Sequence, residues 1–286
     1  MGASMKDIKL RIHSVEGTRQ ITKAMELVAS SKLRRAKERA ERSRPYFNTL
    51  YEAITDIASS ASDFNSPFLE RREKGADCYV VIAGDRGLAG GYNNNVFKLF
   101  DQSVAGKEEV CVIPVGKKAQ EFMRRRPKAK VLTEEYALVD GTTTADADKI
   151  AKTLCTAFLK GEIRSVTVIY TNFASMLSQV PYAMPVLPIE KSTIRDTAGG
   201  KARALTMYEP DGETVFNAVI PAFVSGIFYG AVCESLASEV AARRTAMDAA
   251  SKNASAMIDD LNLRYNRARQ GAITQEITEI VAGSEA

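Results

Sequence analysis

Through the first sixty positions, apolar and small side chains return at alternating steps of three and four. Ile8, Ile12, Val15, Thr18, Thr22, Met25, Ala29, Leu33, Ala36, Ala40, Ser43, Phe47, Leu50, Ile54, Ile57 and Ala61 fall on one line, with charged residues and Ser between them. That period predicts one helix sustained for about 55 residues, roughly 80 Å long. Thr18, Thr22 and Ser43 make the seam looser than a leucine zipper, and Pro45 predicts a local kink. The far end repeats the pattern beyond Pro221, the last proline. Leu236, Val240, Met247, Ala250, Ala254, Met257, Leu261, Tyr265, Ala268 and Ala272 keep the spacing with one gap at Arg243, and Ile273, Ile277 and Ile280 extend an apolar stripe. Helices of this length outrun what a compact domain covers, so they must pack on each other or on a partner. Alanine-rich seams bury little area at about 25 cal/mol per Å², which describes a rod built to be gripped from outside.

Between residues 76 and 210 the pattern becomes alternating strand and helix. "DCYVVIAG" (77–84), "EVCVIPVG" (109–116) and "SVTVIYTNF" (165–173) are short Val- and Ile-rich runs, separated by helical stretches near 93–102, 116–126 and 144–160. This is the βαβ order of a parallel sheet covered on both sides, a Rossmann-like α/β domain. "QVPYAMPVLPIE" (179–190) holds three prolines and reads as an edge or connecting segment, and "STIRDTAGGKA" (192–202) as a surface loop. "MYEPDGE" (207–213) reads as a strand end and turn into the last helix. The expected parts are an N-terminal helix (1–61), a central domain (76–210) and a C-terminal helix (211–286).

Composition narrows the chemistry. Apolar residues make up 45% and charged ones 26% of 286, which is ordinary for a globular protein. No apolar run is read as reaching the roughly 20 residues that cross a bilayer, the start lacks a secretory core, and Lys6 spoils an acylation signal. One histidine, His13, leaves little for a metal site or a triad and is expected to face solvent or a partner. Cys78, Cys111, Cys155 and Cys233 form no close motif and are expected as buried, reduced thiols.

The stretch "VVIAGDRGLAGGYNNN" (80–95) is the one candidate phosphate loop. Nothing after Gly84 supplies the Lys-Ser or Lys-Thr of a phosphate loop, and no glycine pair here has the single-residue gap of a dinucleotide fingerprint. Glycines also serve tight strand-to-helix turns, and that scaffold role is the expectation. Arg86 and Asn93–Asn95 could cap a helix or meet a partner.

Taken with "RIHSVEGTRQITKAMELVASSKLRRA", "DRGLAGGYN", "SQVP", "MYEPD" and "YNRARQGAITQEITEIVAG", the sequence resembles the γ subunit of F-type rotary ATP synthases over essentially its whole length. Ala89 stands where many relatives have cysteine, and the redox-regulated insertion of chloroplast relatives is not seen. The resemblance implies an antiparallel coiled coil of the terminal helices, turning inside a ring of α and β subunits. The α/β domain would contact the ε subunit and the membrane ring of c subunits at the cytoplasmic face of the bacterial plasma membrane. No cofactor and no active site of its own are implied. It places Met25 near a β-subunit lever, and Arg269, Gln270, Thr274 and Glu276 or Glu279 against a β-subunit loop. Tyr208 and Glu209 become the foot on the rotor ring.

"KLRRAKERAERSR" (32–44), with Arg34 and Arg35, holds seven Lys or Arg against two Glu. Its nearby aromatics keep helical spacing, so an acidic protein sleeve explains it better than nucleic acid. The rival readings are a static coiled-coil tether with an α/β head, able to bind nucleic acid, and an enzyme using the glycine turn. The turn's composition predicts no tight nucleotide site. Titration calorimetry with ATP and magnesium should show no stoichiometric binding tighter than about 10 μM, some 7 kcal/mol; such a site would overturn the scaffold reading.

Overall fold

The computed structural model describes residues 5–60, 66–126, 129–136, 138–189 and 208–284. The loop expected at 192–202, Met207, Ala61 and the side chain of Phe47 lie outside them. Helix α1 spans Met5–Ser60, running through Pro45 without interruption, and the last helix, α5, spans Gly212–Ser284. Asp211 starts α5 by accepting the Thr214 N–H at 2.8 Å, so "EPD" is a turn and cap. Between the two lie β1 (Ala76–Ile82), α2 (Tyr92–Val104), β2 (Val110–Val115), α3 (Lys117–Met123), β3 (Ala129–Val131), α4 (Thr144–Leu159), β4 (Ile163–Phe173) and β5 (Gln179–Leu187). A capping box of Thr143 and Asp146 starts α4.

The chain divides into two compact units, Ser31–Ala242 and Met1–Ser30 with Arg243–Ala286. In the larger unit the strands lie in the order β3-β2-β1-β4-β5, all parallel except β5, which pairs antiparallel with β4. Pro181 and Pro185 sit on this edge strand, where a missing donor costs least. β3 was not legible beforehand, because three residues are too few to display an alternation. Strand alternation sends Tyr79, Val81, Ala83 and Val112 to one face, where Val96 and Phe100 of α2 and Ala119 and Met123 of α3 cover them. Cys78, Val80, Ile82, Cys111 and Ile113 point the other way and are equally buried.

The first turns of α5 complete this core. Phe216, Ile220, Phe228, Val232 and Cys233 are buried, Asn217 accepts the Ser66 hydroxyl, and the Ser225 hydroxyl bonds Asp148. This corrects the reading of apolar runs. No charge lies between Glu213 and Glu234, and α5 carries an 18-residue window of mean hydropathy 1.8, apolar and long enough for a bilayer. Asn217, Ser225 and the glycines broke the run to the eye without lowering its mean, and the stretch is a domain-core helix here. Further along, α5 meets the ends of β1 and β4. Ser235 Oγ accepts the Thr171 N–H at 3.2 Å, the Ser238 hydroxyl donates to the Thr171 carbonyl at 3.1 Å, and buried Glu239 lies against Gly84.

Within this unit α1 and α5 run antiparallel. Arg39 meets Tyr229 at 3.1 Å, Tyr51 and Phe223 rings lie 6.2 Å apart, and Ile57 lies over Gly212, so one index rises as the other falls. The smaller unit keeps the same sense around a buried hydroxyl pair, Thr22 Oγ1 and Ser251 Oγ at 2.7 Å. Met247, Ser251, Ala254, Ile258 and Leu261 form its buried line on α5, and Ile8, Thr22 and Ala29 are the buried positions of α1 there. Two expected seam members are displaced by one residue. Met257 is 46% exposed while Ile258 is 7%, and Ser251 takes the place of Ala250. A serine looked too polar for the seam, but its hydroxyl is satisfied by Thr22.

Two measurements check these contacts. Cysteines replacing Thr22 and Ser251, or Met25 and Met247, in a background without the native four should crosslink under mild oxidation. A Thr22→Cys, Ile258→Cys pair two turns away should not, since bridged Cα atoms must lie within about 7 Å. Equal yields from matched and mismatched pairs would refute the register. At Gly84 an added methyl carbon would lie 2.8 Å from Glu239 Cδ and 3.1 Å from Asn93 Oδ1. Gly84→Ala should therefore lower stability by about 1–3 kcal/mol in urea unfolding, and a neutral result would show that Glu239 yields freely.

Candidate functional site

In an open α/β sheet, ligands enter the crevice beyond the carboxyl ends of the strands where the order reverses. Here that point lies between β1 and β4, and the glycine turn leads out of it. Ala83 still belongs to the ladder, donating its N–H to Val115 at 3.0 Å. Gly84 then gives its N–H to Asn93 Oδ1 at 2.8 Å, and the Asp85 carboxylate accepts the Val139 and Asp140 N–H groups at 2.9 and 3.3 Å. Asn93 thus ties the turn and does not cap α2, whose N-cap is Gly91. Leu88 stands at a left-handed φ of 61° and 64% exposed, while Ala89 points inward.

The crevice itself is filled by α5. Ser235, Ser238 and Glu239 occupy it with the bonds to Thr171 and the contact with Gly84 given above. The buried Tyr92 hydroxyl donates to the Ser235 carbonyl at 3.1 Å, and burial, reinforced by Glu239, pushes its pKa up. The Gly84 amide, which opens the turn, is taken by Asn93, and the space beyond the strands is taken by a helix. His13 is a solvent-facing residue 3.3 Å from Glu16.

The basic run separates into two sets. Arg39 donates to the Tyr229 hydroxyl and to the carbonyls of Asp140 and Thr142, with its guanidinium 5.2 Å from the Tyr229 ring centre. Lys32 lies 3.8 Å from Asp140, Lys37 over the Phe173 ring, and Arg44 3.7 Å from Glu234. These side chains fasten α1 to its own unit. Arg34, Arg35 and Arg42 are exposed and unpaired among the described residues. The charge run alone could not sort the two sets, because the sorting depends on which face of α1 meets α5.

Tyr208 is half-buried and Glu209 exposed just ahead of α5. In the smaller unit Met25 is half-buried. Arg269, Gln270, Thr274, Glu276 and Glu279 are exposed on the last turns of α5. Two of them have side chains bonded along the helix: Thr274 donates to the Gln270 carbonyl at 2.9 Å, and Glu279 accepts from Gln275 at 2.9 Å. Ile273, Ile277 and Ile280, by contrast, are 48%, 57% and 71% exposed. The candidate residues do not converge on one site. They are surfaces, divided between the two units.

Sequence reasoning missed two features. One is a groove of about 710 Å³ between α2 and α3, floored by Phe97 and Phe122, whose ring centres lie 4.0 Å apart. The other is the register of Cys78 with Cys111.

A sequence model of the family described as ATP synthase matches residues 4–286. The ATP synthase gamma chain of Ruminococcus albus is 44% identical over 99% of this chain and 98% of its own. The sodium-ion-specific ATP synthase gamma chain of Acetobacterium woodii is 41% identical over 100% of this chain and 99% of its own. In fold, the chain resembles one from the cryo-EM structure of the Euglena gracilis mitochondrial ATP synthase OSCP/F1/c-ring, with a TM-score of 0.69, 19% identity and coverage of 98% and 93%. With its two long terminal helices, filled crevice and full-length match, this chain belongs to the ATP synthase gamma chain family.

Proposed function

We propose that this γ chain is the central-stalk rotor of a proton- or sodium-driven ATP synthase, coupling rotation of the membrane ring to conformational change at the β-subunit catalytic sites. One observation carries the reading. The family match runs through both terminal helices, and the last turns of α5 present an uncovered stripe of Ile273, Ile277 and Ile280 bordered by Arg269, Gln270, Thr274, Glu276 and Glu279. Solved neighbours are described as belonging to a rotor and to an OSCP/F1/c-ring assembly, which supports the same set of partners. Those partners are the α and β subunits, the ε subunit and the ring of c subunits. The chain is peripheral to the membrane as part of that complex, on the cytoplasmic face of the bacterial plasma membrane in this reading.

The parts divide the work. The helices of 1–61 and 211–286 form the shaft, and the domain of 76–210 carries the foot with Tyr208 and Glu209. Met25 and the C-terminal polar set work against β subunits, each rotational position favouring a different β conformation through differential contacts. The shaft contributes no catalytic group. Arg34, Arg35 and Arg42 meet acidic surface of the sleeve as a group, since single exposed pairs contribute only about 0–1 kcal/mol.

Reconstitution with α and β subunits tests both the rotor and the collar. A probe fixed to the α/β domain should turn in one direction during ATP hydrolysis; assembly without rotation would leave the static tether. The triple variant Arg34→Glu, Arg35→Glu, Arg42→Glu should weaken assembly or coupling roughly tenfold at low salt. That defect should shrink as the Debye length falls from about 10 Å at 0.1 M to about 3 Å at 1 M. Wild-type behaviour at low salt would show that these arginines only face water.

A further inference from the structure

The mechanism uses none of the four buried thiols, yet two of them are neighbours. Cys78 on β1 and Cys111 on β2 are register partners in adjacent parallel strands, so both side chains leave the same face of the sheet. Strands lie about 4.7–4.9 Å apart, inside the roughly 4.4–6.8 Å Cα range of a disulfide. Both thiols are free and buried. On the other side of Cys111, its register partner on β3 is Lys130. The hydrogen bond from Cys78, helped by Lys130, draws the Cys111 thiol below its ordinary range against the effect of burial. The bond to Cys111 and then burial raise Cys78. Cys111, beside the short edge strand and in register with Lys130, is the member an oxidant reaches first, and Cys78 behind it is the resolving member.

From this geometry we infer that Cys78 and Cys111 form a dithiol modification site that closes to a disulfide with a two-electron oxidant of the hydroperoxide class. The Cys111 thiolate attacks the terminal peroxide oxygen. The O–O bond breaks, leaving Cys111 as a sulfenic acid, and hydroxide departs to take a proton. The Cys78 sulfur then attacks the Cys111 sulfur, the S–O bond breaks, and water leaves with the Cys78 proton. Two thiols and one hydrogen peroxide become one disulfide and two waters. Access runs through the edge, because β3 holds β2 by only three register pairs, Val110–Ala129, Cys111–Lys130 and Val112–Val131. Such a short edge strand separates at far lower cost than the whole domain unfolds. Cys155 has no comparable partner: burial alone pushes its thiol up to about 12. The bond would join the central strand β1 to β2, six residues ahead of the Gly84 turn.

The test uses the full reduced chain. It is treated with hydrogen peroxide while folded, quenched with catalase, unfolded and alkylated with N-ethylmaleimide. The expected product takes up two maleimides where the untreated chain takes four, and its digest contains the linked Cys78 and Cys111 peptides. In Cys78→Ala the resolving thiol is gone, and dimedone should capture a sulfenic acid at Cys111. Lys130→Gln should slow disulfide formation several-fold without shifting its position. Four maleimides after a peroxide dose that fully oxidises the urea-unfolded chain would overturn the proposal, as would a linkage through Cys155 or Cys233. Dimedone capture at Cys78 in Cys111→Ala, at the rate seen for Cys111 in Cys78→Ala, would refute the assigned roles. Should either cysteine variant fail to fold, the wild-type linkage decides alone.

Discussion

A helix of 56 residues and one of 73 present far more apolar side chain than a five-stranded domain can cover. Each meets that need on the other, in antiparallel sense, and the remaining features follow from the pairing. It fixes which face of α1 turns inward, and so which arginines are bound and which are exposed. It also brings α5 to the sheet, where its uncharged first turns complete the core and Ser235, Ser238 and Glu239 beyond them fill the crevice. A helix that fills the switch point leaves no room for the ligand that related sheets hold there.

Along α5 the composition changes with what is asked of it. From Phe216 to Cys233, large apolar side chains face the domain and the few polar ones are satisfied locally. From Met247 to Leu261 the line alternates Met, Ile and Leu with Ser and Ala, and a buried Thr22–Ser251 pair sits within it. A hydrogen bond of this kind contributes little net stability, but shifting the helices past each other would take the Thr22 oxygen away from the buried Ser251 hydroxyl, while Thr22 keeps the Arg19 carbonyl. It fixes register more than it adds strength. Beyond Leu261 burial ends, and the helix carries its apolar stripe uncovered.

Much of this was legible in the sequence because it is local. The period of α1 gave its extent, and the Val- and Ile-rich runs gave β1, β2 and β4 to within two residues or so at either end. The misses have a common cause. Ser251 in the seam depended on its partner across the pair, Arg39 on a tyrosine 190 positions away, and the Cys78–Cys111 pairing on strand register. Spacing along a chain carries none of these, because each is set by an element that arrives from far away. The uncharged stretch of α5 was misjudged differently: small and polar residues hid a run whose average is membrane-like and whose location is a domain core. Among the candidate contact residues, the residue types and their exposure were readable, but their division into two units was not.

The exposed stripe and the few unpaired arginines suit a turning contact better than a fixed one. An ion pair or hydrogen bond favours one angle and must be broken to leave it, at a cost that grows with desolvation. Apolar contact is non-directional and scales with area, so an exposed stripe such as Ile273, Ile277 and Ile280 sets no deep angular minimum of its own. Of the polar residues beside it, Thr274 and Glu279 are bonded along their own helix and give up little on passing a partner. Angular preference then comes from the shape of the shaft and from many weak charges acting together. A small number of strong contacts would instead hold a tether in place.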